Sequence, residues 1–133
     1  MNFEITVLAL ACVLGLVHII LASHAVSLQR GYRWTASARD ADVPPLSGMA
    51  GRLTRAQANF SETFPIFAAL VLGAHVLEAH DWRTLWGVSL YIVARAIYLP
   101  LYAFGVPLVR SLIWNVAFVG IALMIWAVLQ TRL

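Results

Sequence analysis

The sequence has no lysine, one cysteine and few charged residues, which make up 11% of its 133 positions. A soluble domain of this length would carry roughly twice that charged fraction. With Cys12 as the only cysteine, the chain cannot form an internal disulfide or a cysteine metal cluster. It also contains no GxSxG, phosphate-loop or HExxH motif and no basic run interleaved with aromatic residues. These absences argue against a soluble domain, a nucleic-acid-binding surface and several common enzyme classes.

Apolar residues dominate the sequence, forming 62% of the chain with a mean hydropathy of +0.83. Four apolar segments are each long enough to cross the hydrocarbon core of a membrane, for which about 20 helical residues are needed. The sequence therefore predicts a single all-α domain over residues 1–133, built as an integral membrane four-helix bundle. The predicted spans cover residues 3–28, 54–79, 82–104 and 107–130.

The first span could alternatively be a cleaved signal peptide, because ASHA at Ala22–Ala25 resembles a cleavage site. That interpretation is disfavoured, since the amino-terminal MNFE carries an acid and the apolar run is too long. Arg30, Arg33 and Arg39 follow this span, and basic residues concentrate in cytoplasmic loops. We therefore predict that the loops after the first and third spans are cytoplasmic and that both termini lie on the non-cytoplasmic side.

The stretch RAQANFSETFP, from Arg55 to Pro65, places polar residues at the start of the second predicted span. Four polar side chains of this region fall within one helical stripe about 80° wide, namely Arg52, Arg55, Asn59 and Glu62. Pro65 cannot donate to the carbonyl of Ser61, so we expect the helix to bend near Glu62 and to open space beside the stripe. Pro100 is expected to act similarly in the third span.

The third span carries a matching stripe about 60° wide, formed by Tyr91, Arg95, Tyr98 and Tyr102. Arg95 lies near the middle of the span, where a charged side chain is costly and normally turns toward a partner. We predict that Glu62 is this partner. Arg110 and Ser111 begin the fourth span on the same side of the membrane, so the polar groups of three helices are expected to converge near one membrane face.

Each of these residues also has a simpler interpretation. Arg52 and Arg55 could be interfacial arginines that follow the charge rule, and the tyrosines of the third span could belong to an aromatic belt. Glu62 and Arg95 could form an ion pair with a purely structural role. Two polar stripes and an Arg-Ser pair on one side nevertheless exceed what anchoring a four-helix protein requires, which favours a functional site.

The histidines and the cysteine are weaker candidates. His18 and His24 are six residues apart and His75 and His80 five, so neither pair shares a helical face as metal ligands would. We interpret them as polar or interfacial residues and predict no metal site. Cys12 has no nearby cation to activate it, so any thiol chemistry must use a sulfur that arrives on a substrate.

Two motifs together resemble those of the MAPEG family, the membrane-associated proteins in eicosanoid and glutathione metabolism, in a short bacterial form. They are RAQANFSETFP at Arg55–Pro65 and ARAIYLPLYAFGVPLVRS at Ala94–Ser111, and the number of spans and the loop lengths also fit. The resemblance implies a homotrimer in the bacterial inner membrane, with glutathione as cosubstrate between neighbouring protomers near the cytoplasmic side. It also implies a hydrophobic electrophile or lipid as the second partner.

Carried over by position, the resemblance assigns glutathione contacts to both polar stripes, at Arg55, Asn59, Glu62, Arg95, Tyr98 and Tyr102. It assigns thiol activation to Arg110, with Ser111 beside it. The chemistry of glutathione agrees, because guanidinium forks such as that of Arg52 bind carboxylates and Glu62 can take the ammonium group. A cation at the positive end of a helix raises the thiolate fraction of a nearby thiol.

The leading prediction is a glutathione-dependent transferase or peroxidase that acts on small hydrophobic electrophiles. The sequence departs from several catalytic relatives at Ala58, where they carry a basic residue, and at Tyr98 and Trp114. The family also includes a lipid-presenting member without glutathione chemistry, and a fold alone does not establish an enzyme. A non-enzymatic lipid-binding or scaffold protein is therefore the alternative, while a proton-coupled transporter is disfavoured by the scarcity of buried ionisable groups.

Overall fold

The computed structural model describes residues 3–131, which form helices and short connections. Four long helices lie near the predicted spans, and one short helix occupies the first loop. In chain order they are α1 (Phe3–Arg30), α2 (Tyr32–Thr35), α3 (Gly48–Val76), α4 (Trp82–Ala103) and α5 (Pro107–Gln130). No strand occurs within the described residues, so the prediction of an all-α protein is confirmed.

Three of the long helices, α1, α4 and α5, are long and apolar enough to cross a membrane. The exception is α3, which corresponds to the second predicted span and has sufficient length, with 29 residues, but not sufficient apolarity. Its amino-terminal half carries the polar stripe of the sequence analysis, and those side chains lower its hydropathy. The membrane crossing of α3 therefore stays a prediction.

The ends of the helices follow local sequence signals. Gly105 adopts φ 75°, and the N–H of Val106 donates to the carbonyl oxygen of Leu101 at 3.0 Å, which closes α4 with a Schellman motif. Pro107 then begins α5, where its missing N–H costs nothing. The residue types at both positions favour these helix ends, because glycine is enriched just past the end of a helix and proline in its first turn. The helix α3 begins at Gly48 and not at residue 54 as predicted, so the first loop is shorter than the sequence suggested.

The helices pack through small residues and a stacked aromatic core. α1 contacts α3 and α4, α3 also contacts α4 and α5, and α4 pairs extensively with α5. At the α4–α5 crossing, a Cβ added to Gly120 would lie 2.6 Å from the carbonyl oxygen of Gly87, so only glycine permits this approach. In the main apolar cluster, the rings of Phe67 and Tyr91 stack with centroids 3.9 Å apart.

The two ends of the described chain differ in charge. The loop end, as we call it, gathers the carboxyl end of α1, the first loop, the start of α3 and the α4–α5 turn, and it carries Arg30, Arg33, Arg39, Arg52, Arg55 and Arg110 against Asp40 and Asp42. The opposite end joins the start of α1 to the α3–α4 connection, where Thr84 Oγ1 donates to Glu4 Oε1 at 2.8 Å. This second end has more acidic than basic residues among those described.

Candidate functional site

A cleft of ≈ 350 Å³ lies toward the loop end, between α3, α4 and α5. Its lining residues are Asn59, Tyr98, Tyr102, Arg110, Ser111, Trp114 and Asn115. The first five are predicted site residues from three different segments of the sequence. The structure therefore brings together groups that the sequence analysis connected through helical periodicity, membrane side and the family resemblance.

The α4–α5 turn positions most of this cleft. Because the Schellman motif at Gly105 reverses the chain, the last turns of α4 lie beside the first turns of α5. Tyr98 and Tyr102 are one turn apart and face the same direction, with ring centroids 5.4 Å apart in an edge-to-face arrangement. On α5, the side-chain amide of Asn115 donates to the carbonyl oxygen of Ser111 at 2.8 Å.

Two guanidinium groups lie beside the ring of Tyr102. The Cζ atom of Arg110 is 4.5 Å from the ring centroid and that of Arg55 is 6.0 Å from it, which is the geometry of cation–π contacts. Within residues 3–131, neither guanidinium forms a hydrogen bond or an ion pair with another residue. Their hydrogen-bonding capacity is therefore available to an anionic ligand in the cleft.

Arg52 has a partner in the chain itself. Its Nε donates to the carbonyl oxygen of Ala103 at 2.8 Å, which joins the first turns of α3 to the last turn of α4. This contact leaves the two terminal nitrogens of Arg52 for other partners. Arg52 is thus placed at the rim of the loop end, and its predicted contact with glutathione stays a prediction.

Arg95 is buried behind the cleft and is not one of its lining residues, since only 1% of its surface is exposed. Its Nη1 donates to Asn59 Oδ1 at 2.7 Å, and its Nη2 donates to the backbone oxygen of Asn59 at 2.9 Å and to the hydroxyl of Thr63. Glu62 is exposed and does not pair with it, so the predicted Glu62–Arg95 contact is wrong. Glu62 points about 60° away from Asn59 on the helix, toward the surface.

The burial of Tyr98 bears on the aromatic-belt interpretation. Tyr98 is only 5% exposed, and the Cζ atom of Arg95 lies 5.4 Å from its ring centroid. A belt tyrosine instead points outward, toward the headgroup region. Tyr98 is therefore an interior residue whose remaining exposed surface lines the cleft, and Tyr102, which also lines it, is half-buried.

A second cavity, of ≈ 410 Å³, opens between α1 and α3 and has mainly apolar walls. Pro65 lines it, so the space beside this proline lies toward α1 and not, as predicted, beside the polar stripe. His18 is also on its wall but is 1% exposed, stacks on Phe60 with ring centroids 4.6 Å apart, and has Nδ1 2.9 Å from the carbonyl oxygen of Leu14. The interfacial interpretation of His18 is therefore wrong, because the imidazole packs in the interior.

The opposite end carries a structural cluster far from the cleft. The carboxylate of Asp81 caps α4 by accepting from the backbone N–H of Arg83 at 2.7 Å, and the N–H of Asp81 donates to Thr84 Oγ1 at 3.1 Å. The Arg83 guanidinium, which donates to this carboxylate, holds the pKa of Asp81 below its usual value. Among residues 3–131, no group of three or more His, Cys, Asp or Glu residues is placed to hold a metal ion.

Sequence reasoning missed two residues around the cleft, Thr63 and Asn115, and named Trp114 only as a departure from catalytic relatives. Thr63 follows Asn59 by four residues and joins Arg95 to the hydroxyl of Tyr91, from which its Oγ1 lies 3.2 Å. Trp114 and Asn115 follow Arg110 and Ser111 by four residues each, and this spacing is the signal that could have identified them.

Comparison with known proteins gives one family match. Residues 7–130, nearly the whole chain, match the model of the MAPEG family. No curated protein and no solved structure matches the chain significantly. All the residues of the cleft lie within the matched range, as do both motifs on which the resemblance was based.

Proposed function

The chain belongs to the MAPEG family, and from this premise we propose that it is a glutathione-dependent membrane transferase or peroxidase acting on small hydrophobic electrophiles. Its three strongly apolar helices make it a membrane protein, which is where such electrophiles dissolve. The observation that carries the proposal is the cleft, where Arg110 and Arg55 lie beside Tyr102 without an ion pair of their own among the described residues.

The available groups of the cleft fit the chemistry of glutathione, which has two carboxylates, one ammonium group and a thiol. Arg55 and the terminal nitrogens of Arg52 are suited to the carboxylates, because guanidinium groups bind them through paired hydrogen bonds. Glu62 is exposed at the surface of α3 and is available to the ammonium group. Asn59 and Tyr102 supply hydrogen-bonding groups on the walls.

Arg110 is the residue proposed to activate the thiol. It lies in the first turns of α5, where the helix dipole adds positive potential to its own charge, and both favour a thiolate. The Ser111 hydroxyl beside it donates to the carbonyl oxygen of Pro107 at 3.3 Å, and rotation about its side-chain bond would let it donate to the sulfur instead. The thiol proton passes to solvent, the thiolate forms a bond to the electrophilic carbon, and the leaving group departs with its electron pair.

The assembly is part of the proposal. We propose that α3 crosses the membrane with the other long helices and that three copies form a homotrimer in a bacterial inner membrane, with glutathione held between protomers. Both termini would lie on the non-cytoplasmic side. The support is the basic loop end, which fits a cytoplasmic location, and the exposure of Arg55 and Glu62, which leaves them available to a ligand or a neighbouring copy.

Calorimetric titration of the detergent-purified protein with glutathione tests this proposal. We expect saturable binding, weaker binding of an analogue whose glycine carboxylate is amidated, and glutathione-dependent conjugation of chlorodinitrobenzene above the uncatalysed rate. S-Methylglutathione is the matched control, because it should bind but give no conjugate. Absence of binding at millimolar concentration would contradict the proposal.

A second candidate is a non-enzymatic lipid-binding protein, and the cavity between α1 and α3 is the observation in its favour. It is larger than the cleft, at ≈ 410 Å³, and its walls are mainly apolar. Stoichiometric binding of a fluorescent fatty acid, together with no glutathione binding and no conjugation, would establish this candidate over the first.

A further inference from the structure

Arg95 is the most deeply buried charged residue of the described chain, and its position raises the question of its role. It is 1% exposed, and its guanidinium is surrounded by the rings of Phe60, Tyr91 and Tyr98, whose centroids lie 5.4–5.9 Å from its Cζ atom. Within residues 3–131 no carboxylate pairs with it. A charged side chain that is buried within the membrane-spanning part of a protein is energetically costly and normally has a functional role.

The hydrogen bonds of Arg95 are concentrated on one neighbour that lines the cleft. Its Nη1 donates to Asn59 Oδ1 at 2.7 Å and its Nη2 to the backbone oxygen of Asn59 at 2.9 Å. A third bond, from Nη2 to Thr63, fixes the guanidinium itself. Asn59 is thereby held at both its side chain and its backbone by one buried cation.

This arrangement determines which way the Asn59 amide faces. Arginine nitrogens can only donate, so the atom of Asn59 that meets Arg95 must be its carbonyl oxygen. The amide nitrogen is then the part of the side chain left for the cleft, which Asn59 lines. The carbonyl oxygen and the amide nitrogen of an asparagine side chain are nearly isosteric. Without the guanidinium, the side chain could therefore rotate so that the two atoms exchange places.

We infer that Arg95 is a positioning residue that fixes the Asn59 amide with its N–H groups toward the cleft, so that the site selects a ligand with a carboxylate or carbonyl oxygen at that point. Arg95 thus acts through Asn59 and does not contact the ligand, unlike the role predicted from sequence. The identity of the ligand, glutathione, rests on the proposed function, whereas the orientation of Asn59 does not.

The orientation can be tested without any ligand. The sequence contains three asparagines, Asn2, Asn59 and Asn115, so selective ¹⁵N-asparagine labelling gives few side-chain amide signals, and Asn59→Asp identifies the one from Asn59. We expect this amide to be rigid in the wild type and mobile in Arg95→Gln, while the Asn115 amide, bonded to Ser111, is unchanged. An Asn59 amide that is equally rigid in both proteins would overturn the inference, whether or not glutathione binds.

The effect on specificity is tested by glutathione titration of variants at both positions. Asn59→Asp keeps an oxygen acceptor for Arg95 but removes the N–H donors, so we expect about a tenfold or larger loss of affinity with no loss of thermal stability. Arg95→Gln in the otherwise wild-type protein should also lower the affinity for glutathione about tenfold. In an Asn59→Ala background the same substitution should lower it less than about threefold, because the free-energy effects of two residues that act through one interaction are not additive.

Three outcomes of these titrations bear on whether Arg95 acts through Asn59. If the loss of affinity in the double variant equals the product of the losses in the two single variants, Arg95 acts on glutathione independently of Asn59. That result would overturn the inference. If Arg95→Gln does not fold, Asn59→Asp decides alone, since unchanged affinity in that variant contradicts the donor role of the amide. If the wild type binds no glutathione, the proposed function fails, and the ligand-free measurement still decides whether Arg95 positions Asn59.

Discussion

The arginines of this chain divide by what their guanidinium groups already bind. Arg52 is held by the end of α4, Arg83 by Asp81 and Arg95 by Asn59. The guanidinium groups of Arg55 and Arg110 both lie beside the ring of Tyr102 and form no hydrogen bond or ion pair among the described residues. Arg52, Arg83 and Arg95 have less hydrogen-bonding capacity left, because other groups of the chain already occupy their guanidinium nitrogens. We therefore expect Arg55 and Arg110 to contribute most of the affinity of the cleft for an anionic ligand.

Arg110 should be the residue on which conjugation depends most. Replacing it with alanine removes the cation next to the proposed thiolate, and we expect kcat/KM for conjugation to fall about 100-fold or more. The thermal midpoint should change little, since no hydrogen bond of the described chain holds this guanidinium.

Arg33→Ala is the matched control for this prediction, because it removes the same charge from an exposed position in α2. Its conjugation rate should remain close to that of the wild type. Arg110→Lys keeps a cation without the planar fork and should retain part of the activity. Full activity in Arg110→Ala would remove Arg110 from the proposed mechanism.

At the level of elements, α3 and α4 show how the polar stripes are divided between site and scaffold. Both stripes exist on the helices, but their members face different surroundings, because each helix also contacts neighbours on its other sides. Asn59 turns toward α4, whereas Arg55 and Glu62 stay at the surface. One helical face therefore contributes both to the wall of the cleft and to the exposed rim.

The α4–α5 pair should be intolerant of a side chain at its crossing. A methyl group on Gly120 would meet the carbonyl oxygen of Gly87 at 2.6 Å and the backbone nitrogen of Tyr91 at 3.0 Å, and neither can move without shifting a helix. We expect Gly120→Ala to destabilise the protein by about 1–3 kcal/mol.

Thermal unfolding in detergent measures this effect, and Gly73→Ala in α3 is its control. A Cβ at Gly73 has no heavy atom within 4 Å, so this substitution should leave stability unchanged or raise it by up to about 1 kcal/mol through helix propensity. Equal midpoints for the two variants would show that α4 and α5 do not approach as closely as described.

The cap of α4 should make stability depend on pH. The pKa of Asp81 is lowered in the folded chain, chiefly by its hydrogen bond from the Arg83 side chain. The carboxylate therefore contributes its stability above its ordinary pKa, near pH 4, and loses that contribution as pH falls through the lower folded value. The ion pair is only partly buried, so solvent screens it and we expect it to contribute about 1 kcal/mol at most.

Comparison of the wild type with Asp81→Asn between pH 7 and pH 3 isolates this contribution. Asparagine still caps the helix but does not titrate or pair with Arg83, and every other ionisable group is the same in the two proteins. We expect the wild type to be the more stable at pH 7 and the difference to shrink on acidification. A difference that grows toward pH 3 would contradict the sign of the shift.

For the whole molecule, the contrast between the basic loop end and the more acidic opposite end is the feature from which we predict the orientation of the chain in the membrane. If α3 crosses the membrane, the residues before and after it lie on opposite sides. In a Cys12→Ser background, we expect a membrane-impermeant maleimide to label Glu78→Cys in intact cells and Ala38→Cys only after permeabilisation. Both replaced side chains are exposed.

The two possible failures of this labelling experiment have different meanings. Equal labelling of both positions from one side would contradict the crossing of α3 and reduce the protein to three spans. Labelling with the opposite sidedness would preserve four spans but reverse the proposed orientation, and would place the cleft on the non-cytoplasmic side.

The sequence by itself determined the helical class, three of the spans, the turn at Gly105 and Pro107, and the family. These follow from local properties, since hydropathy over about 20 residues, a proline ring and a glycine at positive φ act within one segment. Helical periodicity also selected three of the residues that line the cleft, Asn59, Tyr98 and Tyr102, because side chains one turn apart face the same way on any helix.

Only the tertiary structure decided which partner each side chain finds. The Glu62–Arg95 pair was inferred from opposite charge, but the rotation of α3 against α4 brings Asn59 and Thr63 to the guanidinium. The same rotation directs the space beside Pro65 toward α1. Helix rotation depends on packing along the entire length of each contact, such as the close approach of Gly87 and Gly120, and a one-dimensional pattern does not contain that information.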